Sequence, residues 1–400
     1  MNPPAAATPA LSFPARGHDS LWLYALLALL ATAGFFYVNI MAAIVDGLVT
    51  GLGLSNPQAG MIGSANIYGA SVGAFAAVFL VRHIRWKPTL LVLLSVLLLI
   101  DLGSMLLRDP LVLTVVRAIH GVVGGLSVGV AYSVMARTRS PDRAFGMLLL
   151  LQFGLGGLGV MFLPGLVPIH GARVLFLALA CLTALALMSM ALIPKDLAGD
   201  PVRGAARVAG AGYSQLTVLW ILLALFLFQG GNMALAAFII GLGEEAALSR
   251  DFIGQALGWA TWIGAAGAGL VIVMGTRLGR FRPLLAALLL TLVGTAGFHW
   301  SHHSLVFFVA NVGTATTWSF VVPYLFGMVS RLDPSGRLAA LGGFVSKAGL
   351  ASGPLLAGLL LRQGDYDRLV TASVCLLALS ALFALLAARR VDRLEEATTS

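Results

Sequence analysis

The sequence predicts an all-α membrane protein: twelve transmembrane helices arranged as two pseudo-symmetric six-helix bundles. Three observations predict it. The composition cannot coat a soluble core, twelve apolar runs are long enough to cross a bilayer, and short motifs repeat at nearly one offset through the two halves.

Composition alone removes most other classes. Of 400 residues, 59% are apolar and only 10% are charged, against roughly a quarter charged in an ordinary soluble domain. Mean hydropathy is +0.95. So little polar surface cannot cover a soluble core. The net charge of +9 suggests nucleic acid at first sight, but the basic residues come in small groups between apolar runs and form no single patch. No nucleic-acid partner is expected. Cys181 and Cys375 both lie in apolar runs and read as small packing residues. No disulfide, metal or cofactor is expected.

A helix needs about 20 apolar residues to span a bilayer. The runs fall at 21–47, 59–81, 88–107, 111–135, 144–168, 172–193, 216–242, 252–275, 283–300, 304–329, 338–361 and 368–388. The first is too long for a signal-peptide core and lacks its flanks, so it reads as a retained helix. The chain then divides into a mobile tail (1–17), a first bundle (18–193), a cytoplasmic linker (194–215), a second bundle (216–390) and a C-terminal tail (391–400). With the N-terminus inside, 18 cations fall on the inner side and five on the outer. That bias predicts a multi-pass protein of the cell membrane, inner or plasma, with both termini cytoplasmic. The remaining two cations, Arg117 and Lys347, lie inside spans.

The halves repeat. The loop after span 2 reads Arg82-His-Ile-Arg85-Trp-Lys87-Pro88, and the loop after span 8 reads Arg277-Leu-Gly-Arg280-Phe-Arg282-Pro283, an offset of 195 from Pro88 to Pro283. Leu54-Ser55 with Gly60 matches Leu248-Ser249 with Gly254 at 194. Asn39-Ile-Met-Ala-Ala resembles the stretch from Asn232 at 193. Three matches so close in offset, each on the matching span, argue for a duplicated six-helix unit.

Two six-helix halves joined by a cytoplasmic linker resemble the major facilitator superfamily over essentially the whole chain. The stretch Gly275 to Arg282 is similar to the family's basic loop motif. The copy at Arg82 and Arg85 has Val81-Arg82 in place of the motif's Asp-Arg pair. The resemblance makes Arg82, Arg85, Arg277 and Arg280 gating-loop residues. Arg117 with Gly121 and Gly125 is similar to the family's fourth-helix signature. Gly349, Gly353, Pro354, Ala357 and Gly358 on span 11 resemble an element typical of the fifth helix of proton antiporters. Span 5 carries only Pro164-Gly165.

Two familiar motifs lack the context they need. Gly125-Leu-Ser127-Val-Gly129 matches a nucleophile elbow, and Gly154-Leu-Gly156-Gly-Leu-Gly159 a dinucleotide fingerprint. Both lie inside apolar spans with no strand before them, where glycines let helices approach closely. No ATP-binding G-x₄-G-K-[ST] occurs, so transport would be driven by a gradient. No catalytic constellation is visible, and the chain is not read as an enzyme.

Polar residues inside the spans are the functional candidates. Arg117 and Lys347 would bind substrate, facing each other across the halves. His120 is one turn from Arg117 at i+3. By the resemblance, Asp46 on span 1 pairs with Arg117, and Asp46 or His120 carries the proton. Asp101 reads as structural, and Glu244 and Glu245 as solvated loop residues. The amides Asn39, Gln229, Asn232 and Asn311 and the rings Trp318 and Tyr324 would line the substrate pocket; Tyr37, Asn66, Tyr68, Gln152, Trp259 and Trp262 are further polar or aromatic candidates. Two intramembrane cations point to a small organic anion, an aromatic or aliphatic carboxylate. The expected activity is proton-coupled secondary transport by alternating access. The expected partners are a small-molecule substrate, protons and membrane lipid, with a monomer as the unit. The competing reading is a proton-driven efflux pump for hydrophobic or drug-like compounds. A third, a non-transporting receptor or enzyme, has no residue pattern to support it.

Overall fold

The computed structural model describes residues 20–81, 83–138, 141–193, 215–274, 278–332 and 337–399. The proposed tail 1–17, the linker up to 214, and Arg82 and Arg277 lie outside the described residues. Helices account for nearly everything described, and no strand occurs among the described residues. In lipid, only a helix or a closed barrel satisfies every backbone N–H and C=O.

The first half comprises α1 (Leu21–Asn39), α2 (Met41–Leu52), α3 (Asn56–Leu80), α4 (Trp86–Ser104), α5 (Pro110–Met135), α6 (Pro141–His170) and α7 (Arg173–Ser189). The second comprises α8 (Gln215–Ala237), α9 (Ile239–Glu245), α10 (Arg250–Met274), α11 (Phe281–Gly297), α12 (Ser304–Leu332), α13 (Arg337–Leu360) and α14 (Tyr366–Thr399). Eleven helices among the described residues are long and apolar enough to cross a membrane. The helix α10, 25 residues long, stands at the position of the eighth predicted span.

Local sequence sets several boundaries. Ser20 caps α1 by accepting the N–H of Leu23 at 3.2 Å. Ser55 and Gln58 form a reciprocal capping box on α3, with Pro57 in the first turn. Asp109 caps α5 by accepting the N–H of Val112, and Pro110 opens the helix. Gly53 ends α2 at φ +70°, a left-handed conformation that costs glycine nothing.

Two features depart from the sequence reading. The first span is not one helix: α1 and α2 break at Ile40 and continue to Leu52. The first span of the second half breaks likewise at Phe238, between α8 and α9. Neither break carries proline or glycine, so no local signal announces it. At the other end, α14 runs on to Thr399, so the segment read as a tail continues the last helix.

Within the first half α3 packs on α5, α1 on α5 and α6, and α4 on α7; within the second α8 packs on α13 and α14, and α10 on α12. The halves meet mainly through α3 with α13 and α6 with α10. Glycine makes these contacts close. A Cβ at Gly121 would strike the Asn66 carbonyl, and one at Gly69 the Ala118 carbonyl. Gly125 of the apparent nucleophile elbow lies in continuous helix against Ala70, which is a packing role. Gly121→Ala is therefore expected to force α3 and α5 apart and cost about 1–3 kcal/mol. A lower unfolding temperature in detergent would show it; an unchanged one would mean the interface is loose.

Between the halves, Gly60 meets the Pro354 carbonyl and Gly254 the Met161 carbonyl. Asn56 donates to the Leu361 carbonyl at 3.2 Å. These contacts gather at the end of the bundle opposite the chain termini, called the distal end below. There the two halves are closed on each other. Cys181 and Cys375 are free thiols on the exposed apolar surface rather than interior packing residues.

Candidate functional site

Three constellations carry the chemistry. The first is a buried ionic network inside the first half. Arg117 on α5 is fully buried, and its Nη1 donates to Asp101 Oδ1 on α4 at 2.9 Å. Nη2 donates to the Ile100 carbonyl at 3.3 Å and to the Ser104 hydroxyl. His120 Nε2 lies 3.2 Å from the same Asp101 oxygen. Its Nδ1 lies 2.8 Å from Asn66 Nδ2, which also donates to the Arg117 carbonyl at 3.1 Å. The guanidinium sits 5.0 Å from the Phe176 ring centre and 5.8 Å from that of Tyr37. A buried cation requires such compensation. The sequence reading expected Asp46 as its partner and Asp101 as merely structural. The structure pairs Arg117 with Asp101 instead, because α4 packs directly on α5. Asp101 with Ser104, and Arg117 with His120, are each i,i+3 pairs, so each helix presents two polar groups on one face. That matched spacing was the signal available in the sequence.

The second constellation closes the distal end. Asp46 on α2 accepts from Arg250 Nη1 at 3.0 Å and Nη2 at 3.1 Å. Arg250 Nε lies 2.5 Å from Glu244 Oε1. Arg250 also donates to the Pro164 carbonyl at 3.2 Å. Pro168 explains that acceptor: it lacks the N–H that would take up the carbonyl four residues earlier. The clamp thus joins α2 and α6 of one half to α9 and α10 of the other. Glu244, read as solvated, belongs to it. Burial pushes the Glu244 carboxyl above the usual carboxylate range, with the Arg250 charge opposing. A carboxyl that holds its proton more tightly here than in water favours the closed arrangement at low pH. That contribution fades as pH rises through its raised pKa. Arg250→Ala is expected to open the distal end, read as faster modification of a cysteine placed at Asn56, and Glu244→Gln to weaken the pH dependence of that rate. Equal rates in Arg250→Ala and the parent would refute the clamp.

The third is a cavity of about 370 Å³ between the halves. Asn39, Gln229, Asn311 and Trp318 line it, with Phe35, Phe153, Thr261, Thr314 and Ser319. Trp318 Nε1 donates to Gln229 Oε1 at 2.6 Å, and Gln229 Nε2 donates to Ser346 at 2.8 Å. Asn39 donates to the Gln152 carbonyl at 3.3 Å, tying α1 to α6. Pro164, Pro323 and Pro354 lie inside helices, and each removes the N–H that would pair with the carbonyl four residues before it. Those carbonyls belong to Val160, Ser319 and Leu350, all three on the cavity wall.

The remaining candidates distribute around it. Lys347 stands beside the cavity with its Nζ 4.7 Å from the centre of the Phe35 ring, and no carboxylate pairs with it among the described residues. Arg117 does not face Lys347; it points into the interior of its own half. Asn232 donates to the Phe228 carbonyl at 2.8 Å and lines a smaller neighbouring space with Asn311 and Trp318. Tyr324 is packed in the second half against Phe320, with ring centres 5.0 Å apart, and is not on the cavity wall. Arg85 is exposed at the start of α4. Arg280 is buried and lies 3.6 Å from Asp392 on α14, whose carboxylate also accepts the N–H groups of Arg280 and Phe281. The acidic partner of that basic loop therefore comes from the last helix.

The model of the Major Facilitator Superfamily matches residues 21–345. The chain belongs to the major facilitator superfamily. It is a multi-pass membrane transporter of that superfamily. A curated relative, the gallate transporter of Pseudomonas putida, is 28% identical over 162 residues, which is 39% of this chain and 36% of that protein. The match thus spans little more than a third of that relative. Among solved structures, a mutant of the peptide transporter POT superposes with a TM-score of 0.73 at 14% identity, covering 93% of this chain and 95% of its own. A D-xylose-proton symporter gives 0.69 at 15%, covering 92% and 97%. At such identities the likeness establishes the superfamily's fold.

Proposed function

We propose that this transporter is a proton-coupled carrier of a small aromatic carboxylate, working by alternating access. The observation that carries it is Lys347. It is a cation without a carboxylate partner among the described residues, stacked on an aromatic wall of the cavity between the halves. A planar acid would lay its ring between Phe35 and Trp318 and set its carboxylate against the ammonium. Asn39, Gln229 and Asn311 offer partners for ring hydroxyls. The gallate transporter is a relative whose named substrate has this chemistry.

Proton coupling belongs, in this reading, to Asp101 and His120. Arg117 and His120 share one carboxylate oxygen of Asp101, so a proton arriving there changes the pairing of all three. Tyr37 touches both His120 and Arg117, and the next two residues, Val38 and Asn39, line the cavity. This gives α1 a direct mechanical link between proton and substrate. Asp46, first considered a proton carrier, serves the distal clamp instead.

Calorimetric titration of the purified protein with benzoate, gallate and a lipophilic cation tests the substrate class. Saturable binding of the two acids, tighter for gallate, is the expected result. Binding of the cation alone would overturn the reading.

A further inference from the structure

A second recess, of about 280 Å³, opens at the distal end entirely within the first half. Its wall carries Arg108, His170 and Arg173 and no acidic side chain. The nearest acid in sequence, Asp109, is engaged in capping α5. The helix α7 begins on this wall with no side-chain cap, which places the positive end of its dipole beside the recess. Ser104 and Phe176 form the floor, and both touch the Arg117 guanidinium. None of these five side chains lines the cavity between the halves.

We propose that this recess is an anion site, distinct from the transport cavity, that takes a carboxylate or phosphate group. Two arginines concentrate anions and repel cations, and the histidine ring adds a hydrogen-bonding nitrogen. Arginine suits planar oxyanions through its paired donors. An anion held there stands one side chain away from Arg117 and competes electrostatically with Asp101 for it. Occupancy is therefore felt by the buried network, and through it by Tyr37 and α1. The same chemistry arrives from two sources at this level of a membrane: a free anion in solution or the phosphate of an anionic lipid.

The test uses the purified full-length chain in neutral detergent. Inorganic phosphate and benzoate are titrated separately while thermal unfolding is followed. Bound phosphatidylglycerol and phosphatidylcholine are counted in parallel by native mass spectrometry. The expected result is that Arg108→Ala/Arg173→Ala weakens the response to phosphate by about tenfold or more, about 1.4 kcal/mol, while Lys347→Ala leaves it unchanged. Arg108→Lys/Arg173→Lys retains part of it, which separates lost charge from lost fold. If free anions have no effect but one phosphatidylglycerol is lost from the double alanine variant, the site stands with lipid as its source. Phosphate, benzoate and phosphatidylglycerol all indifferent to the double substitution would overturn the proposal. So would a phosphate response abolished by Lys347→Ala alone.

Discussion

Lys347→Ala is expected to abolish high-affinity carboxylate binding while leaving the protein folded. The two halves of that expectation have separate causes. A substrate carboxylate in the cavity has one ammonium within reach, and removing one member of a desolvated charge pair costs about 2–5 kcal/mol, or at least about 30-fold in affinity. Without substrate, the ammonium sits beside Phe35 with no carboxylate partner among the described residues. Deleting it removes a poorly solvated charge and breaks no internal ion pair. The unfolding temperature of the substrate-free protein should therefore hold or rise, whereas stabilisation by added gallate should vanish. Lys347→Arg should recover part of the affinity. Unchanged affinity in the alanine variant would remove the charge assignment.

Asp101→Ala is expected to be the most destabilising substitution of an ionisable residue in the chain, by about 3–5 kcal/mol. It would leave Arg117 fully buried with only hydroxyl, carbonyl and ring contacts. It would also strip His120 of its carboxylate. Replacing Arg117 with leucine in the same protein should restore part of the loss, because the uncompensated charge is then gone. Asp101→Asn keeps the shape and most hydrogen bonds. It should preserve gallate binding while abolishing proton movement, a separation that a purely structural role would not produce. An Asp101→Asn protein that still carries protons at the parental rate would transfer the coupling role elsewhere.

The helices, their glycine-rich contact faces and the duplicated architecture were legible because each is written in local periodicity. The cavity was legible in part. Asn39, Gln229, Asn311 and Trp318 stand out as polar residues in apolar spans, and the structure gathers them on one wall. Pairing was not legible. Whether Arg117 meets Asp46 or Asp101 depends on which helix packs against α5, and hydropathy is silent on that. Arg250 read as one loop cation among five, yet it holds the distal ends of both halves. The breaks at Ile40 and Phe238 were invisible for a different reason: neither residue is a proline or glycine, yet both leave the helical conformation, at φ −110° and −114°. The proline arithmetic was the missed opportunity. Val160, Ser319 and Leu350 each precede a proline by four residues, which the sequence shows without any structure.

Proton flux into proteoliposomes carrying an internal pH-sensitive dye tests the central claim most directly. Benzoate and gallate are added first, then a lipophilic cation and a neutral aromatic. The account predicts acidification with the carboxylates, lost in both Lys347→Ala and Asp101→Asn. Flux with the lipophilic cation or the neutral aromatic alone, indifferent to Lys347, would contradict it and make the protein a drug-type efflux pump.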